Sequence, residues 1–355
     1  MNHFSIAVLP GDGIGTEVMA EALKCLRAVE TRIPTTLYHQ DEYPAGAGEY
    51  LRSGNPLPDR TMEACRQADA ILLGAMGLPD VRWPGGTEMA PQLDLREQLD
   101  LYAGVRPIRL YNAAHSPLKG YQAGEIDLVI FRENTEGMFA SRKQQADFSA
   151  PQVSDTLLVS RHATGRICRA AFEMAARRRG KVTLVDKANV LPSMAYFRSI
   201  FNEVAASFPD VENERVYVDA AALYLVRDPR RFDVLVMENL FGDILSDLAA
   251  GLVGGMGMAP SGDIGDGCAL FQPSHGSAPD IAGKGIANPI ATILSAAMML
   301  DWLDKEDTRQ GARLIYQAVE RVAAGTANST RDLGGEIATT QMGDLLASAI
   351  LQSEP

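Results

Sequence analysis

The chain has 355 residues, with 33 Lys and Arg against 45 Asp and Glu, a formal net charge of −12. Hydrophobic residues at 46% and charged residues at 22% are a globular mix and exclude a disordered chain. The acid excess excludes a nucleic-acid partner, which needs a basic surface, but not an anionic small substrate, which needs only a few placed arginines.

The length corresponds to about two domains of roughly 150 residues. Runs rich in Val, Ile and Leu at residues 5–9, 70–74, 127–131, 182–185, 215–218 and 233–237 read as buried strands. Between them, residues 16–30, 159–179, 193–207 and 240–252 read as helices, and 288–301 and 308–324 are strongly helical. This alternation predicts an α/β fold with a largely parallel sheet. There are no repeats, low-complexity tracts or flexible linkers, so the two domains are expected to be interleaved and rigidly joined. Cys25, Cys65, Cys168 and Cys268 are far apart with no CxxC pair, and read as buried free thiols in a reducing compartment. The N-terminus has no secretory pattern. The longest apolar stretch, residues 248–260, is too short for a bilayer, which needs about 20 residues. A cytoplasmic protein without membrane association is expected.

The first motif is Gly11-Asp12-Gly13-Ile14-Gly15, between a strand and a helix. Its third glycine comes one residue too early for the G-x-G-x-x-G dinucleotide turn, so spacing favours a tight strand-to-helix turn over a pyrophosphate cradle. Next come three arginines: Arg96, Arg106 before Pro107, and Arg132 at a strand end. Each alone reads as a structural ion pair. Together, near acidic residues, their bidentate guanidinium groups point to an anionic substrate. Lys187, at another strand end, is a surface lysine by composition and a partly desolvated base by position.

In the segment Asn239-Leu240-Phe241-Gly242-Asp243-Ile244-Leu245-Ser246-Asp247, Asp243 and Asp247 share one helix face four residues apart. Two like charges there are relieved either by the helix dipole and solvent or by a divalent cation with oxygen ligands. Asp219, closing the strand at 215–218, is a candidate third ligand. Finally, the run from His275 to Pro289 holds three glycines and two prolines ahead of a helix. It reads as a shaped loop, structural or receiving a nucleotide, with Asp280 able to accept from a ribose diol.

Taken together, these segments resemble the β-decarboxylating dehydrogenases of isopropylmalate, isocitrate, homoisocitrate, and tartrate or D-malate, from Gly11 through Gly335. The resemblance implies an isopropylmalate dehydrogenase-like fold rather than a Rossmann fold. One domain, residues 1–103 and 255–355, carries both termini and the dinucleotide. The other, residues 104–254, carries substrate, metal and the dimer interface. It further implies a homodimer with shared active sites, in which Asp243 and Asp247 bind Mg²⁺ or Mn²⁺ with Asp219 of the other subunit. Lys187, also across the interface, assists proton removal. Arg96, Arg106 and Arg132 hold the malate carboxylates, with Gln92 and Leu93 facing the substrate's side group. His275, Gly276, Ser277, Ala278, Asp280, Asn288 and Asp332 bind the adenosine half of NAD, and Asp280 with Ile281 looks like the NAD-preferring version, because an acid there repels a 2′-phosphate.

The implied reaction is oxidation of a 3-substituted malate followed by loss of CO₂, with 3-isopropylmalate as the default substrate. Two departures open alternatives. The family's acid-assisting Tyr is Phe139 here, which has no proton to give, so oxidation without efficient decarboxylation is an alternative. Gln92 stands where isopropylmalate enzymes carry a Leu, and a buried amide needs partners, so malate, tartrate or an isocitrate-like acid are alternatives too. A third reading, a non-catalytic regulatory subunit, is opposed by the intact Lys187, Asp219, Asp243 and Asp247.

Overall fold

In a computed structural model, which describes residues 2–144 and 146–353, strands and helices follow one another along most of the chain. The first part runs β1 (Asn2–Gly11), α1 (Gly15–Arg32), β2 (Thr36–Glu42), α2 (Ala47–Ser53), α3 (Asp59–Gln67), β3 (Ala70–Ala75) and α4 (Pro91–Gln98). The middle runs β4 (Ala103–Arg109), β5 (Asp127–Glu133), α5 (Arg161–Ala176), β6 (Lys181–Asp186), α6 (Pro192–Ala205), β7 (Glu212–Tyr217), α7 (Val218–Arg227), β8 (Val234–Met237) and α8 (Asn239–Gly251). The last part is β9 (Pro260–Ile264), β10 (Ala269–Pro273), α9 (Ile290–Trp302), α10 (Glu306–Ala323) and α11 (Thr339–Gln352).

All ten strands join one sheet in the order β2-β1-β3-β10-β9-β4-β5-β8-β6-β7. Strands β2, β1, β3 and β10 are parallel neighbours, as are β5, β8, β6 and β7. The expectation of a largely parallel sheet therefore holds at both ends and fails at the centre, where β10–β9, β9–β4 and β4–β5 are antiparallel. The sequence hid this centre. β4 carries a proline and two arginines, and β9 is only Pro-Ser-Gly-Asp-Ile. Neither has the β-branched run that marks a strand. Both are strands because neighbours hydrogen-bond them on each side, a context effect that outweighs propensity.

Helices cover both faces of the sheet, which explains the near-continuous apolar character of β3 and β8, whereas the edge strands β2 and β7 are polar and partly exposed. All six residues of β3 are buried. At one end, α1, α9, α10 and α11 pack through Leu26, Val29, Leu300, Ile315, Val319, Leu346 and Ile350 against Ile6, Val8 and Leu72. The opposite face at that end meets α3 and α4 through Met62, Cys65 and Leu95. At the other end, α5 and α6 cover one face through Phe172, Phe197 and Phe201, and α7 and α8 the other through Leu225, Leu245 and Ala249. Cys25, Cys65 and Cys168 are buried free thiols, and Cys268 is partly buried. Burial pushes Cys25 and Cys65 up to about 12, so both stay neutral. Among the described residues, no helix is long and apolar enough to cross a membrane.

Phe172 is fully buried, with its ring centroid 5.3 Å from Phe201 and 5.2 Å from Phe208. Phe172→Ala removes this aromatic cluster's centre and leaves a cavity, at an expected cost of about 3–5 kcal/mol. Urea unfolding followed by circular dichroism measures it.

Candidate active site

The antiparallel centre decides where the site lies. Successive residues of a strand face opposite sides. On β4, Arg106 and Gly104 therefore face α4 and α8, while Val105, Pro107 and Arg109 face α5 and α9. The second set lines a cavity of about 660 Å³ with Phe131, Trp302 and Tyr316. The first set forms the polar cluster.

Arg96 from α4, Arg106 from β4 and Arg132 from β5 are all buried, an arrangement tolerated only with compensating acids and hydrogen bonds. Arg132 is the most braced. Its Nε and Nη2 donate to Asn239 Oδ1 at 3.0 and 2.7 Å, and Nη1 pairs with Asp243. Asn239 in turn donates to the Glu136 carbonyl at 3.0 Å. The arginine's guanidinium also stacks on Phe139, 5.1 Å from the ring centroid. Thus Phe139 does sit at the site, presenting a π-face and no hydroxyl.

Arg96 donates through Nε to Asp263 at 2.9 Å. Among the described residues no protein acceptor meets its terminal nitrogens or any nitrogen of Arg106, whose Nε is buried without a partner. Burial, then Arg96 alongside, pushes the Arg106 guanidinium below its ordinary value, and Arg132 is lowered by the same two causes. An anion entering between them relieves that repulsion.

Helix α8 reaches the cluster because its first turn is tightly made. Glu238 caps it, accepting from Leu240 and Phe241 N–H at 3.0 and 2.7 Å. Gly242 lets the helix backbone touch Arg132, since a Cβ there would lie 2.6 Å from the arginine's Cβ and Cγ. Asp243 and Asp247 then share the face toward the arginines. Burial pushes the Asp247 carboxyl up, and Asp243 adds to the rise against the pull of Arg106 and Arg132. Two neighbouring carboxylates at the cleft, Asp243 half-buried and Asp247 exposed at its edge, fit a divalent cation, and an all-oxygen donor pair fits Mg²⁺ or Mn²⁺.

Asp219 is not brought to these two acids within one chain. It lies in the first turn of α7 rather than closing the preceding strand, because β7 ends at Tyr217. There it pairs with Lys187 Nζ at 2.9 Å, and Lys187 holds its carboxyl below the usual range. Among the described residues of one chain, no three acids or histidines gather as a metal site. Gln92 and Leu93 open α4, and Gln92 Oε1 is buried without a donor.

The Gly11–Gly15 segment is a tight turn, as its spacing indicates. Gly11 and Gly13 have positive φ, and a Cβ on Gly13 would strike the Ser277 carbonyl at 2.0 Å. The turn clamps the loop that begins at His275. Ile14 N–H donates to the Ser277 carbonyl at 2.8 Å, Ser277 Oγ donates to the Gly77 carbonyl, and Glu17 accepts from Gly285 N–H at 3.1 Å. Asp12, which the motif reading passed over, accepts three backbone N–H groups, from Ala47, Gly48 and Gly77 at 2.7–2.8 Å. It ties two segments, the start of α2 and the loop after β3, to this turn.

Within the clamped loop, His275 Nδ1 lies 2.9 Å from the Gly276 carbonyl, while Nε2 is buried without a partner. Burial lowers its pKa, so the imidazole is neutral and Nε2 is an acceptor awaiting a donor. Nearby Asn288 donates to Asp332 at 3.0 Å, and Thr330 donates to the other oxygen of Asp332 at 2.5 Å. Gly276 and Asp280 are exposed, and Ala278 adopts a positive φ of 38°. An orphaned acceptor beside a rigid, polar, glycine-shaped loop fits a nucleotide.

A mixed ten-stranded sheet with an arginine pocket beside two neighbouring carboxylates has the make-up of an enzyme site for a small molecule. Comparisons with known proteins agree. The family model for isocitrate/isopropylmalate dehydrogenase matches residues 5–346. The chain is 45% identical over 352 residues to the 3-isopropylmalate dehydrogenase of Corynebacterium efficiens, covering 98% of this chain and 99% of the relative. It is 45% identical over 355 residues to that of Thermotoga maritima, covering 97% and 98%. Among solved structures, the isocitrate dehydrogenase of Methylococcus capsulatus superposes with a TM-score of 0.88 at 37% identity, covering 99% of this chain and 100% of that one. The chain belongs to the isocitrate/isopropylmalate dehydrogenase family, and is an oxidoreductase.

Gly242→Ala overpacks the contact with Arg132. We expect a stability loss of about 1–3 kcal/mol and a raised KM for the substrate, because Arg132 or α8 must move. Thermal denaturation and steady-state kinetics read the two effects separately.

Proposed function

We propose that the protein oxidises 3-isopropylmalate at C2 and releases the carboxyl group on C3 as CO₂. The observation that carries this reading is the pair of open guanidinium forks, Arg96 and Arg106, facing the Asp243–Asp247 carboxylates in a chain about 45% identical to named 3-isopropylmalate dehydrogenases. The same relatives favour isopropylmalate over tartrate and D-malate. They are named as enzymes, which favours catalysis over a regulatory role.

In this reading Arg96 and Arg106 each take a substrate carboxylate, and Arg132, fixed by Asn239 and Asp243, sets the distance from substrate to cation site. Asp243 and Asp247 hold Mg²⁺ or Mn²⁺, with Asp219 arriving from a second subunit. When bound, the cation supplies a Lewis acid and NAD the two-electron acceptor. Lys187 receives the hydroxyl proton. Phe139 cannot protonate the product carbon, so that proton comes from water or another side chain. His275, Gly276, Ser277, Ala278, Asn288 and Asp332 cradle the adenosine, and Asp280 accepts from the ribose hydroxyl and disfavours a 2′-phosphate.

We further propose that residues 1–103 and 255–355 form the dinucleotide domain and residues 104–254 the dimerising domain, in a cytoplasmic homodimer. Support for the dimer comes from exposed apolar side chains on adjoining helices, Leu223 and Val226 on α7 and Ile244 on α8, at 52%, 43% and 57% exposure. A two-fold axis through that patch makes it self-complementary and presents Asp219, on the same helix α7, toward the partner.

NADH formation with Mn²⁺ should be supported by 3-isopropylmalate in preference to D-malate and tartrate, abolished by EDTA, and matched by CO₂ in equal yield. NADH without CO₂ would favour oxidation alone, and no NADH with any of the three acids would refute the activity. The shared site has its own test. Lys187→Ala and Asp243→Ala should each be inactive, while their co-expressed mixture should recover roughly a quarter of wild-type activity, since half of the dimers regain one complete site. Lack of recovery despite mixed dimers would place the site within one subunit.

A further inference from the structure

Asp263 is the most deeply enclosed acid of the pocket, and neither the motifs nor the proposed chemistry uses it. On β9 it pairs directly with Gly104 of β4, which pairs in turn with Arg132 of β5. All three face the site. Gly104 keeps this row open, because a Cβ there would lie 2.7 Å from Asn134 Oδ1. Asp263 is completely buried. Its Oδ2 accepts from Arg96 Nε at 2.9 Å and from Gln272 Nε2 at 2.7 Å, and its Oδ1 accepts from Asn134 Nδ2 at 2.8 Å.

Burial would raise its pKa, but Arg96 and Arg106 overcome this and hold it below the usual carboxylate range. Asp263 is therefore a fixed negative charge behind the anion-binding arginines. It does two separable things. By occupying Nε of Arg96, it leaves that guanidinium's two terminal nitrogens for the cleft. By its charge, it offsets one of three guanidinium groups, which weakens the pocket for anions in proportion to their charge.

We propose that Asp263 is a specificity-determining residue that positions Arg96 and limits the pocket to dicarboxylates, disfavouring substrates with a third carboxylate. This rests on the reading of the arginine cluster as the substrate's carboxylate site. A trianion loses one charge's worth more than a dianion, so the discrimination is carried by charge rather than shape.

Asp263→Asn removes the charge and keeps the shape. Arg96 Nε and Gln272 retain an oxygen acceptor, and Asn134, whose Oδ1 is buried without a donor, can turn its amide to accept from the new one. Binding of butanedioate and propane-1,2,3-tricarboxylate to the purified full-length protein would be measured by isothermal titration calorimetry, without turnover. For Asp263→Asn we expect the affinity ratio of tricarboxylate to dicarboxylate to rise about tenfold over wild type. Asp263→Ser, which also frees Arg96, should weaken both ligands yet shift the ratio the same way. It serves equally if the Asn variant fails to fold. A ratio unchanged within twofold in the folded variants overturns the proposal while leaving the arginine site standing. Wild-type protein that binds neither anion, or Arg106→Ala protein that binds both as tightly as wild type, overturns the arginine reading and the proposal with it.

Discussion

Three guanidinium groups in one buried pocket are the constraint around which the rest of this structure is arranged. Positive charges at close range in a poorly solvated site repel, and taking each from water costs several kcal/mol unless acids and hydrogen bonds compensate. The compensation is uneven. Arg132 is fully committed to Asn239, Asp243 and the face of Phe139. Arg96 is half committed, to Asp263. Arg106 has no acceptor among the described residues. This gradient separates the pocket from a structural ion-pair network, in which every guanidinium would be met, and leaves donors of Arg96 and Arg106 for an incoming anion.

The sheet topology supplies the geometry. A wholly parallel sheet would place loops and helix starts at one edge and bring ligands there. Here three antiparallel pairings at the centre bring β9, β4 and β5 together, and side chains on one face of those strands become the pocket floor. α4 and α8 approach that floor from the two ends of the sheet. Close approach depends on missing side chains: Gly104 makes room for Asn134, and Gly242 lets α8 rest on Arg132. The loop that begins at His275 is held by the same economy, with Gly13 against Ser277 and Asp12 binding the start of α2 and the loop after β3 through backbone N–H groups.

The two halves of the chemistry are built differently. The three arginines, Asp243 and Asp247 stand on strands and helices, where packing fixes them. Lys187 and Asp219 stand just beyond β6 and β7, paired with each other at the surface. They are partly or largely exposed, next to the apolar faces of α7 and α8. Such a pair, solvated and neutralised within one chain, fits the proposed site shared between two subunits.

Much of this was legible in the sequence, since the chemistry is local. Arg132 at a strand end, two aspartates four apart on a helix, and a glycine-proline loop before a helix carry their meaning in short windows. The structure does bring Arg96, Arg106, Arg132, Asp243 and Asp247 to one place. β1, β3, β5, β6 and β8 and the helices α1, α5, α6, α8, α9 and α10 were equally plain, because burial demands apolar runs and stripes, whereas β2, β10 and α11 were not picked out. Other features had no local signal. β4 and β9 lack strand composition, and only neighbours on both sides make them strands. Asp263 and Gln272 sit in ordinary contexts, and Asn134 and Asn239 gain their roles solely from which arginine lies opposite. Asp12 was visible as part of a turn but not as a tie to the start of α2 and the loop after β3. Sequence by itself determined which guanidinium groups, carboxylates and loop residues are available, because these are read in short windows. Tertiary structure alone decided how charge is divided among them, because that depends on distances between residues far apart in the chain.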